Sequence, residues 1–301
     1  MPYASQQASF QLAFEPVISH LFAQSSWDTV SQLARYVSEN NPYGENSFLK
    51  KALDTAFPDR VYVEEDFIRH QLWCTWREAQ WQNRRLDLNS TKLKVVNAHY
   101  CQETEGHPTL LVSPMTTAVS DALLLLKHLH NDRPVILYGQ DIESIQLSND
   151  IDPSWIAGDG LQALKRIQIT LSANGVLCTY PDFVYSGHAS CPMPFMGGHR
   201  PLASGYASLA SKRHNEANTM LLPCVLLHEN ADEIIVHFEE PIEIDDEGDI
   251  PKAYRQTAIV GLIGSILEEL IQLAGPQWLL LPTLTYNSPQ MAAERTLVKS
   301  H

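Results

Sequence analysis

Residues 113 to 121, SPMTTAVSD, gather four hydroxyls and one carboxylate into nine positions. Thr116, Thr117 and Ser120 are short donors that can bind a carbonyl or hydroxyl oxygen, and Asp121 can hold an ammonium group or take a proton from an amine. The stretch contains no histidine. Its only side chain that can take up a proton is Asp121, since neither Thr116 nor Met115 accepts one near neutral pH. A positioned general base contributes roughly a hundredfold to ten-thousandfold. Chemistry at this turn is therefore expected to be slow, or to use an acceptor that is already nucleophilic, such as an amine.

A second group lies in YSGHASCPMPFMGGHRPLASG, which joins His188, Cys191, His199 and Arg200 around several glycines. Cys191 and His188, three apart, have the spacing of a thiolate pair or of half a metal site, and no further ligands accompany them. No metal is expected. Arg200, ahead of small residues that read as a helix, can bind a phosphate or carboxylate or can be an exposed cap. Asp182, in YPDF after an apolar run, falls where ligand crevices open in α/β sheets, or caps the next turn. His107 precedes its strand at the wrong end for the turn, and His128 and His130 lie far along the following helix.

The turn is framed by the strand-like TLLVS and the helix-like DALLLLKHLH. From about residue 92 such units repeat. LKVVNAHY, PVILYG, GVLCTYP, MLLPCVLLHE and EIIVHFEE read as strands, several apolar at consecutive positions, as strands covered on both faces are. GDGLQALKRIQITLSAN, PLASGYASLASKRHN and PKAYRQTAIVGLIGSILEELIQLAG read as helices. The alternation predicts an α/β fold with a mixed, largely parallel central sheet covered by helices. Residues 1–90 are predicted mainly helical, from PVISHLFAQSSWDTVSQLARYVSEN and EEDFIRHQLWCTWREAQWQNRRLDL with a break at NNPYGENS. Trp73, Trp76 and Trp81 there mark either a ligand groove or a core. The whole, 1–301, is expected to be one domain, with 91–301 as its α/β core.

The chain has 35 acidic and 21 basic residues, a formal charge of −14. That excludes nucleic acid and disfavours an anionic membrane, because both need clustered cations. The run EEPIEIDDEGD, residues 239–249, holds seven acids in eleven positions and reads as a solvated loop without EF-hand spacing. Five scattered cysteines suit free thiols, and the opening residues show neither a leader nor an anchor, so a cytoplasmic protein without a transmembrane segment is expected.

In order, these pieces resemble the late acyltransferases of lipid A biosynthesis, within the lysophospholipid acyltransferase-like superfamily. ALDTAFPDRVYVEEDFIRHQ is similar to that family's helix, Phe-Pro and acidic helix. HPTLLVSPMTTAVSDALLLL stands where the family has a strand and its His-x4-Asp motif. NGVLCTYPDFVYSGHASCPMPFMGGHRPLASGYASLA resembles a strand ending in Pro-Asp, a Phe-Phe-Gly-like turn and a small-residue helix. NTMLLPCVLLHENADEIIVHFEEPIEI resembles the next hairpin, and EELIQLAGPQWLLLPTL the closing helix.

The resemblance implies an acyltransferase fold with Asp121 as the acid of the motif. The motif's histidine is missing, Thr116 standing at its position, or Met115 if the proline sets the alignment, and so is the family's arginine, since the chain reads WIAGDGLQAL. It implies a thioester donor, acyl-CoA or phosphopantetheine, and no permanently bound cofactor. The expected site is Asp121, Thr116 and Ser120 for catalysis, with Thr117, Met115, Asp182, His199 and Arg200 binding substrate.

The first function expected is transfer of an acyl group to a small amine or hydroxyl acceptor, soluble or carrier-bound, in a biosynthetic pathway. An acyl or peptidyl carrier protein is the expected partner if Lys165, Arg166, Arg200, Lys212 and Arg213 form a local basic patch. The alternatives are a catalytically inactive pseudo-acyltransferase that binds an acyl ligand, carrier or partner enzyme, and a hydrolase using Cys191 with His188 or His199.

Overall fold

The computed structural model describes residues 21–40, 48–83, 91–129, 133–138, 152–158, 160–184, 188–245 and 251–284. Most of the break expected at NNPYGENS, His130 and residues 246–249 of the acidic run lie outside them. Helices α1 (Trp27–Glu39), α2 (Phe48–Ala56) and α3 (Glu64–Gln82) come first, then β1 (Lys92–Val96), α4 (His99–Glu103), β2 (Thr109–Val112), α5 (Val119–Leu129) and β3 (Val135–Tyr138). There follow β4 (Ile156–Ala157), α6 (Leu161–Ser172), β5 (Val176–Thr179), the hairpin β6 (Ser190–Phe195) and β7 (Gly198–Ala203), and α7 (Gly205–Ala210). The last elements are β8 (Thr219–Asn230), β9 (Glu233–Phe238), β10 (Ile242–Ile244) and α8 (Lys252–Ala274).

The fold is α/β, with a mostly parallel sheet in the order β1-β9-β8-β2-β5-β3-β4. β8, β2, β5, β3 and β4 run parallel to one another, and β9, β10 and β1 run the opposite way, since β8 pairs antiparallel with β9 and with β10 while β1 is parallel to β9. Every residue of β2 and β5 is buried, which is why they are apolar at consecutive positions rather than at alternate ones. Successive side chains go to opposite faces. Leu110, Val112, Ile136, Leu177, Leu221 and Val225 join α2, α6 and α8 on one side. Leu111, Val135, Leu137, Cys178, Leu222 and Leu226 meet α1, α3 and α5 on the other. The helices that precede residue 90 thus share their cores with the sheet.

Two stretches depart from the expectation of the sequence. LKVVNAHY is a strand only to Val96: Asn97 takes a left-handed backbone, φ 58°, and a short helix begins at His99. The first part of PLASGYASLASKRHN is strand, not helix, because Met196 and Gly197, with φ of 49° and 70°, form a two-residue turn that folds β7 back on β6. Positive φ at both positions is what a tight hairpin of this hand requires. The Met196 amide donates to Glu268 Oε1 at 2.5 Å, which holds the non-glycine residue there.

One segment among the described residues, Ala253–Gln277, is long and apolar enough to cross a membrane by length and composition. It contains most of α8, which buries Ile259, Val260, Ile263, Ile266, Leu267, Leu270 and Ile271 in the core beside the sheet. Its apolarity is that of a core helix covered over much of its circumference.

Candidate functional site at the carboxyl edge of the sheet

The turn between β2 and α5 lies at the edge where the parallel strands end, and β5 delivers Asp182 to the same edge. Asp121 and Asp182 have no exposed surface. Neither is therefore open to a ligand here, and they are enclosed in different ways.

Asp121 starts the inner face of α5 and meets Arg77 of α3, itself fully buried. Arg77 donates from Nε at 2.8 Å and from Nη2 at 2.5 Å to Asp121 Oδ1. Two of the other three guanidinium hydrogens go to the Ala231 carbonyl at 3.1 Å and to Thr91 Oγ1 at 3.3 Å, and the group sits 5.1 Å from the centre of the Trp73 ring. Burial pushes the Asp121 carboxyl up, and the guanidinium pulls it back down. Asp121 Oδ2 has no partner among the described residues. The carboxylate expected to receive a proton from an acceptor is thus already bound to a cation.

Asp182 accepts from the Met115 amide at 3.0 Å and from Trp278 Nε1 at 2.8 Å, both at Oδ2. Arg200 does not reach the carboxylate. Its Nε and Nη2 donate to the Asp182 carbonyl at 3.0 and 2.7 Å, and its guanidinium lies 5.8 Å from the Trp278 ring centre. Arg200 is 6% exposed, so it is neither the exposed cap nor the open anion site that the sequence left as alternatives. Burial lowers it to about 10, against the pull of Asp182. The expected basic patch accordingly loses this member.

The turn itself is used structurally. Thr116 Oγ1 donates to the Leu226 carbonyl at 2.6 Å, and the Met115 carbonyl accepts from the Leu279 amide at 3.0 Å. Thr117 is buried, and its hydroxyl has no partner among the described residues. Ser120 lies in the first turn of α5. His199 sits on β7 opposite Pro194, away from the turn in sequence and carried by the hairpin. Cys191 donates to the Pro192 carbonyl at 3.9 Å, and His188 stacks on Tyr138, so neither structure nor partners mark a thiol–imidazole pair there.

An imidazole does reach the turn, but from α3. His70 Nε2 lies 2.5 Å from the Thr116 carbonyl, and therefore carries the hydrogen and donates. That leaves Nδ1 as a bare acceptor with no partner among the described residues. The ring stacks on Trp73, which in turn stacks on His228 with centres 3.8 Å apart. Burial lowers His70 to about 4 and His228 to about 3, so both are neutral at neutral pH. Cys74 Sγ is 3.5 Å from His70 Nε2, and burial raises its thiol well above the ordinary range, which leaves it unreactive.

His70 and Arg77 were not singled out in the sequence, although a signal exists. His70, Trp73, Cys74, Arg77 and Trp81 are spaced three or four apart and form one buried stripe of α3. An arginine in the middle of an apolar stripe implies a buried acid opposite it. The three tryptophans are core residues, with exposures of 0%, 8% and 3% for Trp73, Trp76 and Trp81, not a ligand groove.

No group of three or more His, Cys, Asp or Glu suited to a metal occurs among the described residues. No protein-family model matches the chain, and no curated protein does.

Proposed function

We propose that this is a pseudo-acyltransferase: a protein of acyltransferase-like build that binds an acyl thioester, on coenzyme A or on the phosphopantetheine of a carrier protein, in the cytoplasm and does not transfer the acyl group itself. The single observation that carries this reading is the Arg77–Asp121 pair. In an acyltransferase turn the acid must orient a base or take a proton. Here it is sealed from solvent and bound to a guanidinium, and no base stands in the turn. The buried, unpartnered Thr117 hydroxyl supports retained binding of a polar ligand atom at the same edge.

Intact-mass measurements on the purified protein with acyl-CoAs and acylated carrier proteins, with and without amine acceptors, test it. Saturable binding of an acyl thioester without turnover is expected. Turnover that Asp121→Asn abolishes would overturn it and restore the acyltransferase reading.

That second reading has one observation in its favour, the His70 ring against the residue where a base would stand. An imidazole lowered to about 4 is a weak base, so such an enzyme would need an amine acceptor that is already nucleophilic. If it holds, Thr116→His, which adds a base in the turn, raises the rate, and replacing His70 lowers it.

A further inference from the structure

Helix α6 is apolar on two sides. Ala163, Ile167 and Leu171 are buried against the sheet. Leu161, Leu164 and Ile169 stand on the outside, 86%, 48% and 60% exposed. At 3.6 residues per turn, Leu161, Leu164, Lys165, Gln168, Ile169 and Ser172 spread over about 140° of the helix, from Leu164, which borders the buried side, to Ile169, which faces away from it. The outer surface there is a shallow depression walled by Lys165, Gln168, Ile169, Ser172 and Ala173. Three large exposed apolar side chains on one short helix form a patch rather than the scattered single residues that any surface carries.

The charge carried by α6 itself is the reverse of the molecule's. The helix Leu161–Ser172 holds Lys165 and Arg166 and no acid, in a chain with 35 acids and 21 basic residues. Arg166 is steadied by donating to the Ser154 carbonyl. The Asn215 side chain donates to the Ser172 carbonyl, which brings the loop carrying the exposed Lys212 and Arg213 to the end of α6, with Glu216 as that loop's one acid. At its other end α6 starts just beyond β4, at the same sheet edge as the turn 113–118.

We propose that the outer face of α6 docks an acidic amphipathic helix of the carrier protein that bears the thioester, its apolar residues on Leu161, Leu164 and Ile169 and its acids facing Lys165, Lys212 and Arg213. The partner's class rests on the function proposed above. A symmetric contact between two copies of α6 fits less well, because it would set Lys165 and Arg166 against one another.

The test uses the full chain with a purified, phosphopantetheinylated acyl carrier protein as one probe and an acyl-pantetheine as the other, binding being read by calorimetry. Lys165→Glu and Leu164→Ser are expected to weaken carrier binding roughly tenfold or more, the first chiefly at low salt. Neither should alter acyl-pantetheine binding or the thermal midpoint, since both positions are exposed. Carrier binding that ignores both substitutions overturns the proposal, and so does absence of carrier binding. In the latter case, acyl-pantetheine binding separates a wrong docking face from a failure of the proposed function. Self-association lost in Leu164→Ser would assign the face to a second copy and overturn the proposal equally.

Discussion

Asp121 and Asp182 follow neighbouring parallel strands, both without exposed surface, yet one is satisfied by a charge and the other by dipoles. Asp121 faces the Arg77 guanidinium, while Asp182 accepts from an amide and an indole, and the nearest arginine turns to its carbonyl instead. The difference follows from what each carboxylate joins. Asp121 fastens α3 to α5, two separate helices whose other contacts are apolar and non-directional. Asp182 fastens the turn to the segment around Trp278, where backbone pairing between Leu279 and Met115 already fixes the approach. A full buried charge in the first place and a merely polar anchor in the second make the same substitution unequal at the two sites.

The largest effect is expected from Asp121→Asn. It leaves a buried guanidinium facing an amide, and breaking one side of a buried pair destabilises by about 3–5 kcal/mol. Urea unfolding measures the loss. Replacing both partners with apolar residues of similar size, Arg77→Met with Asp121→Leu, is expected to recover most of it, because neither ion then has to be desolvated. A double variant as unstable as Asp121→Asn would show that the pair does more than neutralise itself.

The imidazole on the Thr116 carbonyl gives the next effect, which appears in acid. His70 is lowered from 6.5 to about 4 in the folded chain. Between those values the unfolded chain binds a proton that the folded chain does not, so stability falls as the pH falls, by about 1.4 kcal/mol per unit at most. The contribution is complete above the unfolded value and is lost by pH 4, a change on the order of 3 kcal/mol. Burial raises Asp121 and Asp182, which act in the opposite sense, and lowers His228, which adds to His70. The difference between wild type and His70→Gln isolates the His70 share, since glutamine can still donate to the Thr116 carbonyl without titrating. Parallel curves of stability against pH would mean that His70 is protonated as easily folded as unfolded.

How much of this could be read in advance depends on which force sets each feature. The covered parallel sheet was legible because burial on two faces leaves consecutive apolar residues, as in TLLV and VLCT. The position of Asp121 and Asp182 at one sheet edge followed from the strands before them. Their enclosure did not, because it depends on Arg77 and Trp278, which are 44 and 96 residues away in the chain. The β6–β7 hairpin was hidden because Met196 is a poor residue for a left-handed turn and is held there by Glu268, 72 residues on. Long-range polar partners leave no period in a sequence; the stripe of α3 that carries His70 and Arg77 came nearest to doing so.

The smallest effect, and the sharpest check on the contrast, is expected from Asp182→Asn. The asparagine has the same shape, and its carbonyl oxygen can occupy the Oδ2 position and accept from Met115 and Trp278. Burial already pushes the Asp182 carboxyl up, and Arg200 and the N–H donors pull it back. Removing the charge therefore sacrifices some hydrogen-bond strength and relieves some desolvation. The new amide nitrogen takes the place of Oδ1, which has no partner among the described residues, so no existing bond is lost there. A net loss of about 1 kcal/mol is expected, within the range for weakening a single buried hydrogen bond. Arg200 should keep its place, because its partner is the carbonyl. Urea unfolding at neutral pH compares the two asparagine variants directly: a loss at Asp182 as large as that at Asp121 would show that Arg200 neutralises the carboxylate through space, and would remove the distinction between a charge-paired and a dipole-held acid at this edge.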